Sequence, residues 1–319
     1  MIPIWQDTSV VLADNYGLFH IRVNGSQVYS GKVVPPPTSS VRKVRINDIV
    51  ADYLTPKIPS FGLTAVNRGV VVPVIVQNYS GTTVFNDYFS PDWSYDRDYN
   101  PDYRLPLAPI DNRLHPLQTF VFSNLSAGNI DVEVSWEDGM TDEWTGQYGE
   151  GVFSYMTPRR DSALEYLMLV LNAASTQYVE YKYTQGCERF VLYYINAYGG
   201  WESLLCDGTS TTSESYTRNT YKRVYDNNNA LARGTVNYAN EVAKTYTLRT
   251  GLLTEEGAAN MHHLIGSPMV FLQDFANDGA VMPVTIDDKS VEAKTFNSNG
   301  RRPIQYTIKA TLARDRVRR

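Results

Sequence analysis

"RFVLYYINAYGGWESLLCDG", residues Arg189–Gly208, decides how this chain is read. Aromatic and aliphatic side chains crowd both ends, two glycines stand in the middle, and charge is almost absent. An active-site elbow, an aromatic ligand platform and a buried β-hairpin each leave such a trace. A platform would present Tyr193, Tyr198 and Trp201. A hairpin needs only that the Gly199-Gly200 corner lets the chain turn, because glycine reaches positive φ without steric cost. The hairpin is the reading adopted, with "RFVLYYINA" as one strand and "WESLLCDG" as its return.

The flanks support it. Upstream, "TQYVEYKYTQG" (Thr176–Gly186) sets Tyr178, Glu180 and Lys182 opposite Val179, Tyr181 and Tyr183, the period of a strand. "ALEYLMLVLN" (Ala163–Asn172) has a helix-compatible composition but no capping box and strand neighbours, so it too is assigned as a strand. Downstream, Thr209–Gly251 is a long run of polar strands, which suits an edge or a surface lying against other subunits. "LTEEGAANMHHLIGS" (Leu253–Ser267) has acidic residues at its start and a glycine at its stop, which predicts a helix over Thr254–Leu264. Three further strands follow.

The N-terminal part alternates in the same manner. In "LFHIRVNGSQVYSGKVV" (Leu18–Val34), Phe19, Ile21 and Val23 face one way and His20 and Arg22 the other, up to an Asn24-Gly25 turn. "VRKVRINDIVADYL" (Val41–Leu54) begins at strand spacing and ends at helical spacing, predicting a short helix near Asn47–Leu54 capped by Asn47 or Asp48. The fold expected is mainly β: two or three β-sandwich, immunoglobulin-like modules with one short C-terminal helix. The expected domains are a sandwich over 1–157, a central immunoglobulin-like unit over 158–245, and a smaller β unit over 246–319 that carries the helix.

At 319 residues, with 43% hydrophobic and 20% charged residues, the composition is that of an ordinary globular chain, apart from its 23 tyrosines. A net charge of −5 gives no general attraction to nucleic acid or to an anionic membrane. The start lacks a basic leader with an apolar core, and no apolar run reaches the ~18 residues that span a bilayer. Cys187 and Cys206 are therefore read as reduced thiols of a protein assembled in a cytoplasm.

Motifs that carry chemistry are weak. "WEDGMTDEW" (Trp136–Trp144) puts Glu137, Asp138, Asp142 and Glu143 between tryptophans, in the style of a glycoside hydrolase with paired carboxylates, yet Asp138-Gly139 is also an ordinary turn signal. Asp92, Asp96, Asp98 and Asp102 recur evenly in "DWSYDRDYNPDY", without the glycine and terminal glutamate of an EF-hand. His262 and His263 are adjacent and on a regular helix would diverge by about 100°. His20 and His115 have no evident partners, and no phosphate loop or serine elbow occurs. No catalytic residue, cofactor or metal is expected.

The remaining feature is the aperiodic stretch Ser90–Pro116, rich in proline and Asp-Tyr pairs. A loop of this length needs a function or a partner to order it. Trp93, Tyr95, Tyr99 and Tyr103 are candidate interface residues there, and Arg314, Arg316, Arg318 and Arg319 form a second, basic candidate set at the C-terminus. A carbohydrate-binding adhesin module would instead use Trp93, Trp136, Trp144 and Trp201 as stacking faces.

Four stretches taken in order, "FNDYFSPDWSYDRDY" with "PLAPIDNRLHPLQTFVFS", then "FVLYYINAYGGWESLL", then "YTLRTGLLTEEGAANMHHLIGSPMVFLQD" running into "MPVTIDDKSVEAKTFNSNGRRPIQYTIKATLAR", cover most of the chain. In these the sequence resembles virion structural proteins of tailed phages and prophages of gut Bacteroidota, including crAss-like phages. The resemblance implies a non-enzymatic tail component, of hub, ring, distal-tail or adaptor type, built from β-sandwich modules. It implies a homo-oligomeric ring in the virion that touches other tail proteins (hub, adaptor or fibre), no membrane, and no nucleic acid beyond genome DNA passing along the tail axis.

Overall fold

In the computed structural model, the residues described are 2–3, 8–12, 17–35, 41–54, 62–65, 72–90, 113–114, 119–124, 128–148, 151–156, 164–171, 175–180, 182–183, 190–197, 200–224, 234–275, 280–290, 292, 304–313 and 316–318. The protein is mainly β, as its sequence predicts. Its contacts divide it into two units. Unit 1 comprises 1–184 with 195–203 and 266–268, and unit 2 comprises 185–194, 204–265 and 269–319. The division thus falls elsewhere than the expected boundaries at 157 and 245.

Unit 1 begins with strands β1 (Ile2–Pro3), β2 (Ser9–Leu12), β3 (Leu18–Val23), β4 (Ser26–Lys32) and β5 (Arg42–Arg45), then helix α1 (Asn47–Ala51). There follow β6 (Gly62–Ala65), β7 (Val72–Asn78), β8 (Thr83–Ser90), β9 (Arg113–Leu114) and β10 (Thr119–Asn124). It continues through β11 (Gly128–Trp136), β12 (Thr141–Tyr148), β13 (Gly151–Met156), β14 (Leu164–Leu171), β15 (Ser175–Glu180) and β16 (Lys182–Tyr183).

A five-stranded sheet of order β1-β8-β7-β3-β4 carries the first core. Phe19, Ile21 and Val23 of β3 and Val72, Val74 and Val76 of β7 point into it, as period-two alternation dictates. The paired strands β2 and β5, with Val50 and Leu54 on and after α1, cover that face. The β3–β4 turn uses Asn24 at φ 52 and Gly25 at φ 80, the backbone of a two-residue hairpin loop. Helix α1 forms where expected, but its cap is Ile46, without a side-chain bond. Asn47 serves instead as a tie between segments, its Oδ1 accepting the N–H of Thr8 at 2.9 Å, across to the approach of β2.

Strands β12-β11-β14-β15 form an antiparallel sheet of four. The segment that composition left open between helix and strand is β14, paired with β11 along Ile130–Trp136. Residues 164–180 therefore belong with the first unit. A three-stranded sheet, β10-β13-β6, and a parallel pair, β9 with β16, complete unit 1.

The second part of the chain holds β17 (Phe190–Ile195), β18 (Trp201–Cys206), β19 (Thr211–Lys222), β20 (Thr235–Arg249), helices α2 (Glu255–Ala259) and α3 (Met261–Ile265), β21 (Val270–Asp274), β22 (Ala280–Ile286), β23 (Thr307–Leu312) and β24 (Arg316–Arg318). Its strands run in the order β18-β17-β21-β22-β23-β20-β19, with β24 also on β20. The expected single helix is two five-residue helices broken at Asn260, whose N–H bonds the Gly257 carbonyl at 3.2 Å. In β23, Ile308 and Ala310 are buried while Thr307 and Lys309 are exposed, the period-two alternation of a strand with one covered face. Thr250 is buried and fixes the start of that strand, accepting the Tyr306 N–H on its hydroxyl at 3.0 Å.

Candidate functional site

The opening stretch forms the hairpin its composition asked for. Every residue of Phe190–Ile195 and of Trp201–Cys206 is buried, so neither strand presents an aromatic platform. Tyr193 and Trp201 lie in the interior. The Tyr193 hydroxyl donates to Gln273 Oε1 at 2.9 Å, and burial pushes its pKa up. Tyr198, Gly199 and Cys187 lie outside the described residues, and Cys206 is a buried thiol.

The corner of this hairpin holds a polar cluster that sequence reasoning missed. Asn196 Oδ1 accepts the Gly200 N–H at 2.9 Å, and its Nδ2 donates to Glu202 Oε1 at 2.8 Å. The Asn196 N–H also bonds the Gly200 carbonyl, and the Ile195 N–H bonds Ser267 Oγ at 3.0 Å. Asn196, Glu202 and Ser203 are all buried. The available signal was an asparagine and a glutamate flanking Gly-Gly inside an otherwise apolar run. A buried carboxylate requires donors, and here one amide both supplies a donor and closes the turn.

The acidic motif is a turn. Asp138 and Gly139, the latter at φ +78, connect β11 to β12; the Trp136 N–H bonds the Met140 carbonyl and the Met140 N–H bonds Asp138 Oδ1. Glu137, Asp138 and Glu143 are exposed, and Asp142 accepts the indole N–H of Trp136 at 2.8 Å. Trp136 is fully buried and Trp144 half-buried, so with Trp201 in the core these rings form no stacking face. Trp93 and the Asp92, Asp96, Asp98 and Asp102 series lie outside the described residues, and among those described no group of three metal-ligating side chains converges.

Contrary to the divergence expected on a regular helix, the His262 and His263 rings stack at 4.1 Å, 34° apart. The break at Asn260 starts α3 afresh and lets His262 Nδ1 fold back to the Ala259 carbonyl at 2.8 Å. Burial, then the charge of His262, holds the His263 pKa down to about 3.

The exposed feature of the second unit is the ribbon of β19 and β20. Its register runs from Thr211 opposite Thr247 to Lys222 opposite Thr235, with one irregularity that leaves Tyr238 as an extra residue in β20. Eleven of the twelve β19 residues are exposed. β20 changes character along its length: Tyr246 and Leu248 are buried, whereas Tyr238 is 61% exposed. Tyr216 and Tyr221 are also exposed, and the Tyr221 and Tyr238 rings meet at 6.2 Å. The sequence marked this stretch as surface-lying, but not these tyrosines as its contact residues.

Of the predicted interface residues, Trp93, Tyr95, Tyr99, Tyr103, Arg314 and Arg319 lie outside the described residues. Arg316 and Arg318 are in β24, paired with Val242 and Asn240 of the ribbon. The basic end of the chain is therefore backbone-paired along Arg316–Arg318. Among the described residues, no helix is long and apolar enough to cross a membrane. No family model, no curated protein and no solved structure matches the chain.

Proposed function

We propose that the chain is a non-enzymatic structural subunit of a virion: a hub, ring or adaptor component in the tail of a tailed bacteriophage, assembled in the host cytoplasm. The observation that carries this reading is the ribbon, a twelve-residue strand exposed along almost its whole length and studded with tyrosine. Tyrosine-bearing strands gain affinity by burying their rings and backbone edges against other chains, which is where tyrosine is enriched. The ordered resemblance of four sequence stretches to phage structural proteins supports the same reading. So does the placement of the acidic residues, which build a hairpin turn and an indole anchor.

In this reading the subunit forms a homo-oligomeric ring and holds neighbouring tail proteins. Nucleic acid is not a partner in this reading, apart from genome DNA passing along the axis. The test is mass spectrometry of purified, gradient-banded virions with copy numbers set against the major capsid protein. A stoichiometric, ring-like copy number is expected, and absence from the particles overturns the proposal.

A further inference from the structure

We infer that β19 is a self-recognition edge: in free protein, two copies of the chain pair their β19 strands antiparallel about a two-fold axis through Tyr216. This contact goes beyond the tail reading and does not depend on it. β19 is the last strand of its sheet among the described residues, and β20 occupies only its inner side. An exposed edge of this length is a template for another strand, and natural sheets cover such edges or control them with charge.

The charges on β19 specify the partner. Glu214, Arg218 and Lys222 recur every fourth residue, so they lie on one face of the strand. A two-fold axis normal to the sheet pairs residues of equal parity. Centred on Glu214, the pairing opposes glutamate to glutamate. Centred on Arg218, it satisfies Glu214 with Lys222 but opposes arginine to arginine. Centred on Tyr216, it sets Glu214 of each copy opposite Arg218 of the other, twice, with no like charges opposed.

The Tyr216 register also fits what flanks the strand. Glu214 already faces Lys244 across β20, and Arg218 faces Asn240. The paired copies therefore line up Lys244, Glu214 and the second copy's Arg218 in one row of alternating charge. The irregularity in the ribbon falls on β20, so β19 itself stays regular through the overlap. The Tyr216 hydroxyl bonds Glu214 on its own strand, which holds that carboxylate on the pairing face. Opposite charges directly across an antiparallel pair stabilise it and like charges destabilise it.

Sedimentation velocity of the full-length protein over a concentration series, at low and high salt, tests the inference. A monomer–dimer equilibrium weakened by salt is expected. Glu214→Arg alone and Arg218→Glu alone each raise the dissociation constant about tenfold or more, since each turns two attractions into two repulsions. The equimolar mixture of the two variants restores dimerisation, because only the mixed pair has both contacts attractive. Both sites are exposed, and a retained cooperative thermal transition certifies the fold. A monomer at all concentrations, a dimer insensitive to either reversal, or a mixture that fails to recover overturns the inference. A dimer found for a protein absent from virions removes the tail reading and leaves this contact standing; a monomeric virion protein does the reverse.

Discussion

The β17–β18 hairpin and the β19–β20 ribbon follow one another in the chain, and β18 and β19 stand at the two ends of one strand order. They solve the problem of an end strand in opposite ways. All six residues of β18 are buried, Glu202 among them, so that edge is hidden. β19 buries none of its twelve residues and carries charge at every fourth position. The first solution makes stability depend on packing and on satisfying each polar atom. The second leaves the strand's side chains exposed, so its contribution to the fold comes through backbone pairing with β20.

Core truncation should separate the two regions most sharply. Leu204→Ala, at a fully buried site, is expected to cost about 2–5 kcal/mol, read from the midpoint of chemical denaturation. A loss under 1 kcal/mol, typical of exposed sites, would break the comparison. Acid comes next. The His263 pKa is held down to about 3 in the fold against 6.5 when unfolded, so its contribution is complete above pH 6.5. As pH falls from there toward 3, the unfolded chain takes up the proton first and stability declines. From pH 7 to pH 4 the loss should be about 2–3 kcal/mol in denaturation at each pH, and His263→Leu should flatten the slope.

At the hairpin corner, Asn196→Ala leaves Glu202 and the Gly200 N–H without their bonds to Asn196, at an expected cost of about 1–3 kcal/mol in thermal melting. A neutral result would mean that the corner is set by the glycines alone. Removing residues 316–319 deletes the β24 pairing, so hydrogen exchange should quicken at Asn240–Val242 while the midpoint of global unfolding moves little. The paired backbone predicts this local effect. Thr217→Ala on β19 sits at the bottom of the scale, within about 0.5 kcal/mol of zero.

What could be read without coordinates follows from how local the determinant was. The β3–β4 hairpin was legible because Asn-Gly dictates its own backbone and Phe19, Ile21 and Val23 alternate without exception. β14 was legible through its neighbours and the missing cap, since its composition favours neither state. The helix break at Asn260 and the stacked histidines were not legible, because Thr254–Leu264 meets the rules at both ends and the interruption is internal. The unit boundary escaped for a non-local reason: β14 pairs with β11, about thirty residues earlier, and no composition change marks that partnership. For the candidate site, the polar run gave away the ribbon as surface. The pairing code in Glu214, Tyr216 and Arg218 needed the strand's register and its place at the end of the sheet order.

β20 has mechanical consequences. Fifteen extended residues reach about 50 Å, so one uninterrupted strand links Tyr238, in the exposed part, to Leu248 in the interior. A pull along the ribbon loads its hydrogen bonds to β19, β23 and β24 side by side, in shear, where many must yield together. A pull across the ribbon loads them one at a time, like a zipper. The strand is thus a stiff lever along its own axis and a compliant one across it, and the extra residue at Tyr238 is where it bends first.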